Sequence, residues 1–318
     1  MTNAHRILVI GANGQLGTEL AAGLAVQSGS ANVIASDIAD QGKLAELQYE
    51  QLDVLDAQAL RRIVDTHGIT QIYHLAATLS AVGEQNPLRA WHLNVQGLLN
   101  VLELARETGI RVFWPSSIAV FGATTPSQET PQKTIMEPST VYGISKQAGE
   151  GWCRWYHEKN GVDVRSLRYP GLISHRAPPG GGTTDYAIDI FHSVRDGKPY
   201  QCFLEHDEAL PMMYIDDAVR ATLELMGAPS ESIQERGSYN LAGLSFTPEE
   251  ITAEIRRHVP DFRIVYAPDY RQQIAATWPD SIDDSAARKD WGWSPSFGLP
   301  ALVTEMLAGL GCPSAACV

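Results

Sequence analysis

At 318 residues, with 44% hydrophobic and 19% charged side chains, the chain has the makeup of an ordinary globular protein, long enough for one large α/β unit with an appended subdomain or for two domains. Its 24 basic and 37 acidic residues leave a formal charge of -13, which repels phosphate backbones and anionic lipid and argues against nucleic acid or a membrane surface as a partner. No apolar run is long enough to cross a bilayer, and MTNAHRILVIGANG passes straight into a strand-like run without a signal-peptide pattern, so a cytoplasmic protein is expected.

RILVIGA opens the chain as a strand, and Gly11-Ala-Asn-Gly14-Gln-Leu-Gly17 follows it into an apolar helix pattern through Leu20, Leu24 and Ala25. Glycines in such a turn let the backbone approach a pyrophosphate, while the helix N–H groups and dipole face the anion. The second strand, NVIASD, ends on Asp37, whose carboxylate suits a ribose diol and repels a 2'-phosphate. Ile38 and Ala39 offer no guanidinium to neutralise one, so NAD is expected over NADP. The blander alternative is a plain turn with Asp37 at a strand end.

YEQLDV, QIYHLAA, RVFWPSS and VDVRSLRYPG continue the strand series, separated by helix-period stretches such as AQALRRIVDTHG and LRAWHLNVQGLLNVLELARETG. Strands alternating with helices imply right-handed crossovers and an α/β fold with a Rossmann-type doubly wound parallel sheet. The rhythm breaks after Gly171 at the loop-like HRAPPGGGTTDYA. A Rossmann domain over 1–172 and a smaller C-terminal α/β substrate-binding domain over 173–318 are therefore expected. SYNLAG near Tyr239 reads as a buried strand, so the segment around 210–243 is expected to interleave with the first domain, and the tail GCPSAACV is expected to fray.

STVYGISK places Tyr142 and Lys146 four apart, on one face of a helix. A phenol is a poor base at neutral pH, but a neighbouring cation favours its phenolate, which can take a proton from a substrate hydroxyl. A third polar group belongs where the substrate oxygen lands, and SSIAVFG supplies Ser116 or Ser117. Cys153, Cys202, Cys312 and Cys317 form no CxxC pair and the nine histidines no HExxH pair, so free thiols in a reducing compartment and no metal ion are expected.

The GxxGxxG spacing together with YxxxK resembles the short-chain dehydrogenase/reductase superfamily. That resemblance implies that Gly11, Asn13, Gly14, Gln15, Leu16 and Gly17 hold the dinucleotide with Asp37. It makes Asp53 and Val54 the adenine contact, sets Leu75, Ala76 and Ala77 beside the cofactor, and adds Asn94 and Tyr169. It also selects Ser117, five residues before Gly122, as the catalytic serine beside Tyr142, and gives Lys146 the nicotinamide ribose. Without it, Asn94 reads as a helix-surface amide and Asp53 as the N-cap of a helix starting near Ala57.

LAATLSAVGEQNP, RYPGLIS, PPGGGTTDYA and WPDSIDDSAARKDWGW are similar, within that superfamily, to the short-chain-type L-threonine 3-dehydrogenases. This implies oxidation of the β-hydroxyl of L-threonine with NAD to 2-amino-3-oxobutanoate. A small zwitterion needs donors for its carboxylate and an acceptor for its ammonium. Ser80, Thr183, Thr184 and the Gly180-Gly181-Gly182 amides offer the former and Asp185 the latter. A local hydroxyl, a flexible linker and a helix cap are the plainer readings of Ser80, the glycines and Asp185. The glycine loop also reads as a lid, and Trp278 either packs across the pocket or belongs to the core. The enzyme alternative is a nucleotide-sugar epimerase or dehydratase, with Arg176 and Arg195 as diphosphate candidates; a non-catalytic NAD sensor is the alternative outside enzymes. In the superfamily, helices corresponding to Trp91–Arg106 and Val141–Tyr156 join two subunits, which implies a homodimer. Leu98, Leu102 and Ala105 offer a stripe for that contact or for their own sheet.

Overall fold

A computed structural model describes residues 5–177, 180 and 182–312; Pro178, Pro179 and Gly181 of the glycine loop and the tail from 313 lie outside the described residues. The first stretch runs β1 (Ile7–Ile10), α1 (Gln15–Ser28), β2 (Val33–Asp37), β3 (Gln48–Gln51), α2 (Ala57–His67), β4 (Gln71–His74), α3 (Ser80–Gln85) and α4 (Pro87–Trp91). A π-helical turn (His92–Gln96) joins α4 to α5 (Gly97–Thr108), and β5 (Arg111–Ser117), α6 (Val141–Asn160), β6 (Val164–Tyr169) and β7 (Gly171–Ile173) follow. The remainder comprises α7 (Tyr186–Arg195), β8 (Tyr200–Cys202), β9 (Leu210–Tyr214), α8 (Ile215–Gly227), β10 (Tyr239–Asn240), β11 (Leu244–Phe246), α9 (Pro248–His258), β12 (Ile264–Tyr266), α10 (Tyr270–Ala275), α11 (Ser285–Trp291) and α12 (Leu299–Gly309).

Seven strands form one parallel sheet in the order β10-β6-β5-β4-β1-β2-β3. Its apolar runs are continuous because helices cover both faces. Ile7, Val9, Val33 and Phe113 pack under α1 and α8, while their neighbours Leu8, Ile10, Ile34, Val112 and Trp114 pack under α2, α5 and α6. A fold of this class was expected from the alternation of strand and helix, and the segment at Tyr239 joins the sheet by pairing with Leu167 and Arg168. A third cluster, built on β7, α7, β9, α9 and α12, forms the core of the other lobe.

One open alternative is decided and one expectation changes in detail. Leu98, Leu102 and Ala105 are buried against the chain's own sheet, so that stripe is not a subunit contact. VDVRSLRYPG divides at Pro170, which has no N–H for a ladder, and β7 leaves the main sheet to pair with β9.

Strand order reverses between β1 and β4, which opens a crevice at the carboxyl ends of the strands, the usual ligand position in such sheets. The opposite end is clamped by Arg165, which is fully buried, pairs with Asp163 at 3.0 Å and donates to the carbonyls of Leu225 in α8 at 2.6 Å and of Ala228 just past its end at 2.7 Å. Burial pushes the Asp163 carboxyl up, but the Arg165 and Arg111 guanidiniums outweigh it and hold it at about 2. Replacing Arg165 by Met is expected to cost about 3 kcal/mol in urea unfolding at neutral pH, because the carbonyls and the carboxylate lose their partner. A depressed carboxylate stabilises above its unfolded pKa near ~4, so the deficit should shrink as pH falls through about 2.

Candidate active site

The crevice contains a cavity of about 270 Å³ lined by both lobes. On the sheet side, Gly11 adopts φ +84°, and a Cβ there would sit 2.7 Å from the Ala76 amide nitrogen, so the turn closes on the β4 loop only with glycine. Gly14 caps α1 without a side-chain bond, leaving the N–H groups of Gln15, Leu16 and Gly17 without intrahelical acceptors at the cavity wall. The buried Gln15 Nε2 likewise has no protein partner among the described residues. Asp37 accepts from the Asn13 amide at 3.1 Å, and the Asn13 side chain ties down the next loop through Gln41 and Lys43.

Leu75 and Ala77 line the cavity, and Ala76 backs Gly11. Asp53 is exposed just past β3 and accepts from Leu55 at 3.0 Å; the N-cap of α2 is Asp56, which accepts from Gln58 and Ala59. Val54 is buried, with its carbonyl bound by Asn100 at 2.9 Å. Asn94 is not a surface amide. It lies buried in the π-helical turn, accepts from the Thr78 amide at 2.8 Å and donates to Thr78 O at 3.1 Å and Ser145 Oγ at 3.0 Å, tying the β4 loop to α6.

Thr140 begins α6 by accepting from the Gly143 amide at 3.0 Å, so Tyr142 falls in the first turn and Lys146 one turn on. Gly143 is where α6 meets the 118–120 turn after β5: an added Cβ would collide with the Ala119 carbonyl oxygen. This approach brings Tyr142 and Ser117 to the same cavity, close enough for the serine to act on the phenol. Ser116 turns the other way, donating to the buried Glu150 carboxylate at 2.6 Å. Lys146 is buried, donates to Pro115 O at 2.5 Å and lies 4.5 Å from the Trp114 ring centre and 5.5 Å from that of Tyr142. Burial pushes the Tyr142 phenol up to about 12, with Ser117 pulling the other way. Burial also brings Lys146 down to about 7, against the pull of Cys153 and Glu150. Next to them His74 is pushed down to about 3 by burial and by Lys146, so its imidazole is neutral.

Ser80, at the start of α3, lines the same cavity, and from the other lobe come Thr183, Thr184, Asp185 and Trp278. Thr183 Oγ1 is buried with no protein partner among the described residues. Asp185 occupies the N-cap position of α7, but its side chain makes no cap bond to the helix and instead accepts from the Gly182 amide at 2.7 Å. Trp278 is both buried and a cavity wall. Tyr169 borders the cavity, but its hydroxyl is bonded to Thr222 on α8, so only its ring and backbone face inward. Arg176 pairs with Glu19 and Asp216, and Arg195 with Asp196; neither lines the cavity, so neither offers a guanidinium to a diphosphate there. Sequence reasoning passed over Glu150, whose one signal was its place four residues after Lys146, and over the wall residues Pro115, Ile118 and Leu172, which border predicted strand ends.

A doubly wound sheet with an uncapped glycine turn and a Tyr-Lys pair at its switch point defines a dinucleotide-binding α/β protein. Residues 7–242 match the model of the NAD dependent epimerase/dehydratase family, and the chain belongs to that family. A curated relative, the mitochondrial L-threonine 3-dehydrogenase of Bos taurus, is 49% identical over 307 residues, covering 95% of this chain and 82% of the relative. Among solved structures, the holo form of the GalE-like L-threonine dehydrogenase from Cupriavidus necator is 64% identical with a TM-score of 0.95, covering 96% of this chain and 99% of that one. A monomeric L-threonine 3-dehydrogenase from a metagenome, in its apo form, is 48% identical with a TM-score of 0.92, covering 96% and 98%.

The helix-to-turn contact at Gly143 can be probed directly. Gly143→Ala should lower stability by about 1–3 kcal/mol in chemical denaturation, since overpacking a tight contact forces the backbone apart; unchanged stability would show that this approach is not constrained.

Proposed function

We propose that the protein oxidises the β-hydroxyl of L-threonine to 2-amino-3-oxobutanoate with NAD, Tyr142 acting as general base. The chain is an NAD-dependent dehydrogenase of its family. What carries the threonine reading is a cavity in which the Tyr142–Ser117–Lys146 group faces Thr183, Ser80 and Asp185, with no free guanidinium among its described lining residues. In this reading the α1 amides, Gln15 and Asp37 take the pyrophosphate and ribose, with Asp53, Val54, Leu75, Ala76, Ala77, Asn94 and Tyr169 shaping the remaining wall.

When bound, NAD supplies the hydride acceptor and a positive charge near the phenol. Ser117 and Tyr142 orient the substrate hydroxyl, and the phenolate removes its proton as the hydride leaves. Lys146 gives electrostatic support to that phenolate. Ser80, Thr183 and Thr184 donate to the carboxylate, and Asp185 receives the ammonium. Gly182, Thr183, Thr184 and Asp185 wall this side of the cavity and restrict water. Because burial favours the protonated phenol, turnover should rise with pH until Tyr142 ionises, and a flat profile through neutral and alkaline pH would count against a phenolate base.

Tyr142→Phe is expected to lose about 100-fold to 10,000-fold in NADH formation from L-threonine while still binding NAD. Full turnover by this variant, or interconversion of nucleotide sugars without NADH from threonine in the unaltered enzyme, would refute the assignment.

A cytoplasmic homodimer completes the reading. Cys153, Cys202 and Cys312 are unpaired thiols, as a reducing compartment would leave them. No helix among the described residues is long and apolar enough to cross a membrane. Ile144, Trp152 and Trp155 on α6 and Leu88 and Trp91 on α4 expose apolar surface on adjacent helices, an area that a second copy would cover. Light scattering at micromolar concentration should give twice the mass of the chain, and Trp152→Asp with Trp155→Asp should halve it. A single-chain mass for the unaltered protein would remove the dimer.

A further inference from the structure

Glu150 lies one helical turn past Lys146 on α6 and has no solvent exposure. Both of its oxygens are engaged: Ser116 Oγ donates to Oε1 at 2.6 Å, Arg168 Nε to Oε1 at 2.8 Å and Arg168 Nη2 to Oε2 at 2.8 Å. Arg168 continues to Asn240 Oδ1 at 2.8 Å and Gln132 O at 3.0 Å, anchoring the group to β10. None of these side chains has been given a part in binding or chemistry.

Their placement nonetheless bears on the site. Pro115, Ser116 and Ser117 are consecutive at the end of β5: the first accepts from Lys146, the second is held by Glu150, and the third meets Tyr142. One carboxylate therefore fixes the strand end that positions two members of the catalytic group, and it is the anion one turn from the buried ammonium. We propose that Glu150 is a positioning residue for the dehydrogenase reaction, keeping Lys146 charged in the core and holding the Pro115–Ser117 strand end beneath Tyr142. This rests on the reading of Tyr142 as base.

Electrostatics agree with the geometry. Burial is what lowers Lys146, and Cys153 and Glu150 oppose it. The Cys153 thiol is itself pushed far up by burial, so it carries no charge at neutral pH, and Glu150 is the carboxyl group one turn from Lys146. Around Glu150 the charged groups are Lys146 and Arg154 on α6 and Arg168 on β6. Farther out, His157, Glu158, Lys133, Glu235 and Arg236 rim a cleft on the same side. Removing the carboxylate leaves Lys146 and Arg168 as unbalanced buried cations, which disfavours the ammonium, weakens its support of the phenolate and raises the pH needed for turnover.

The test is the pH profile of kcat/KM for L-threonine in the unaltered enzyme, Glu150→Gln and Tyr142→Phe. Glu150→Gln keeps the shape and an acceptor for Ser116. Its rising limb should move about one pH unit alkaline, a ~10-fold loss below the limb recovered above it, as expected for losing one unit charge a helical turn away. The double change Glu150→Leu with Arg168→Met removes both charges at similar volume and should show the same alkaline shift, so the expectation does not hang on tolerance of an unpaired arginine. A folded variant of either kind with a lower kcat but an unmoved limb, beside an inactive Tyr142→Phe, overturns the role given to Glu150 and leaves Tyr142 as base. Full activity in Tyr142→Phe overturns the base itself.

Discussion

Lys146 keeps an amine in a place that water does not reach, and burial by itself drives such a group toward neutrality. What surrounds it answers that tendency: the Pro115 carbonyl, the face of Trp114 and the Glu150 carboxylate one turn along the helix. Two parts of the Rossmann core supply them, the first two coming from β5 and the third from α6. Pairing of β5 with β6 brings in Arg168, and pairing of β6 with β10 brings in Asn240. The parallel sheet is thus more than a scaffold for a loop; it aligns the dipoles and charges that decide whether the Tyr-Lys pair works as a base or lies inert.

The glycines serve the same end at two close approaches. Gly11 lets the α1 turn press on the β4 loop, and Gly143 lets α6 press on the turn after β5. Between these contacts lies a cavity with one wall of uncapped amides and another of hydroxyls. Gln15 Nε2 and Thr183 Oγ1 both border the cavity, buried and without a protein partner among the described residues, which such polar atoms sustain only where a ligand or water meets them. The two walls therefore read as complementary halves of one binding site, one suited to a dinucleotide and the other to a small polar substrate.

Much of this was legible before any coordinates. Short apolar strands alternating with amphipathic helices admit few arrangements besides a doubly wound sheet, and the Gly11–Gly17 turn, Asp37 and the Tyr142–Lys146 spacing are local patterns with local physical causes. Less legible was whatever depends on which way a side chain turns. Ser116 and Ser117 are indistinguishable in sequence, yet alternation along β5 sends one to Glu150 and the other to Tyr142. Asn94 resembled a surface amide because a regular helix would expose it, whereas the π-helical turn rotates it inward. Nothing in the sequence shows that the Tyr169 hydroxyl is taken by Thr222, 53 residues later, while the residue still borders the cavity. Glu150 was silent for a related reason: its partners come from β5 and β6, and only the sheet brings them together.

The substrate side of the cavity shows most plainly why substrate choice resists a sequence reading. Ser80 starts α3, Thr183 and Asp185 precede α7, and Trp278 follows α10, so nearly 200 residues separate groups that share one wall. No spacing encodes that convergence. It arises because β7 departs from the main sheet at Pro170 and carries the chain over the cavity, where Thr184 packs against Gly171. The same departure removes Arg176 from the pocket, since the residues after β7 run back toward α1 and α8 and leave the arginine between Glu19 and Asp216. A diphosphate-bearing substrate would need that cation turned inward at the cost of both ion pairs. A compact zwitterion needs no such cation, because the cavity wall offers it hydroxyls and a carboxylate, and this is the physical reason to favour an amino acid over a nucleotide sugar.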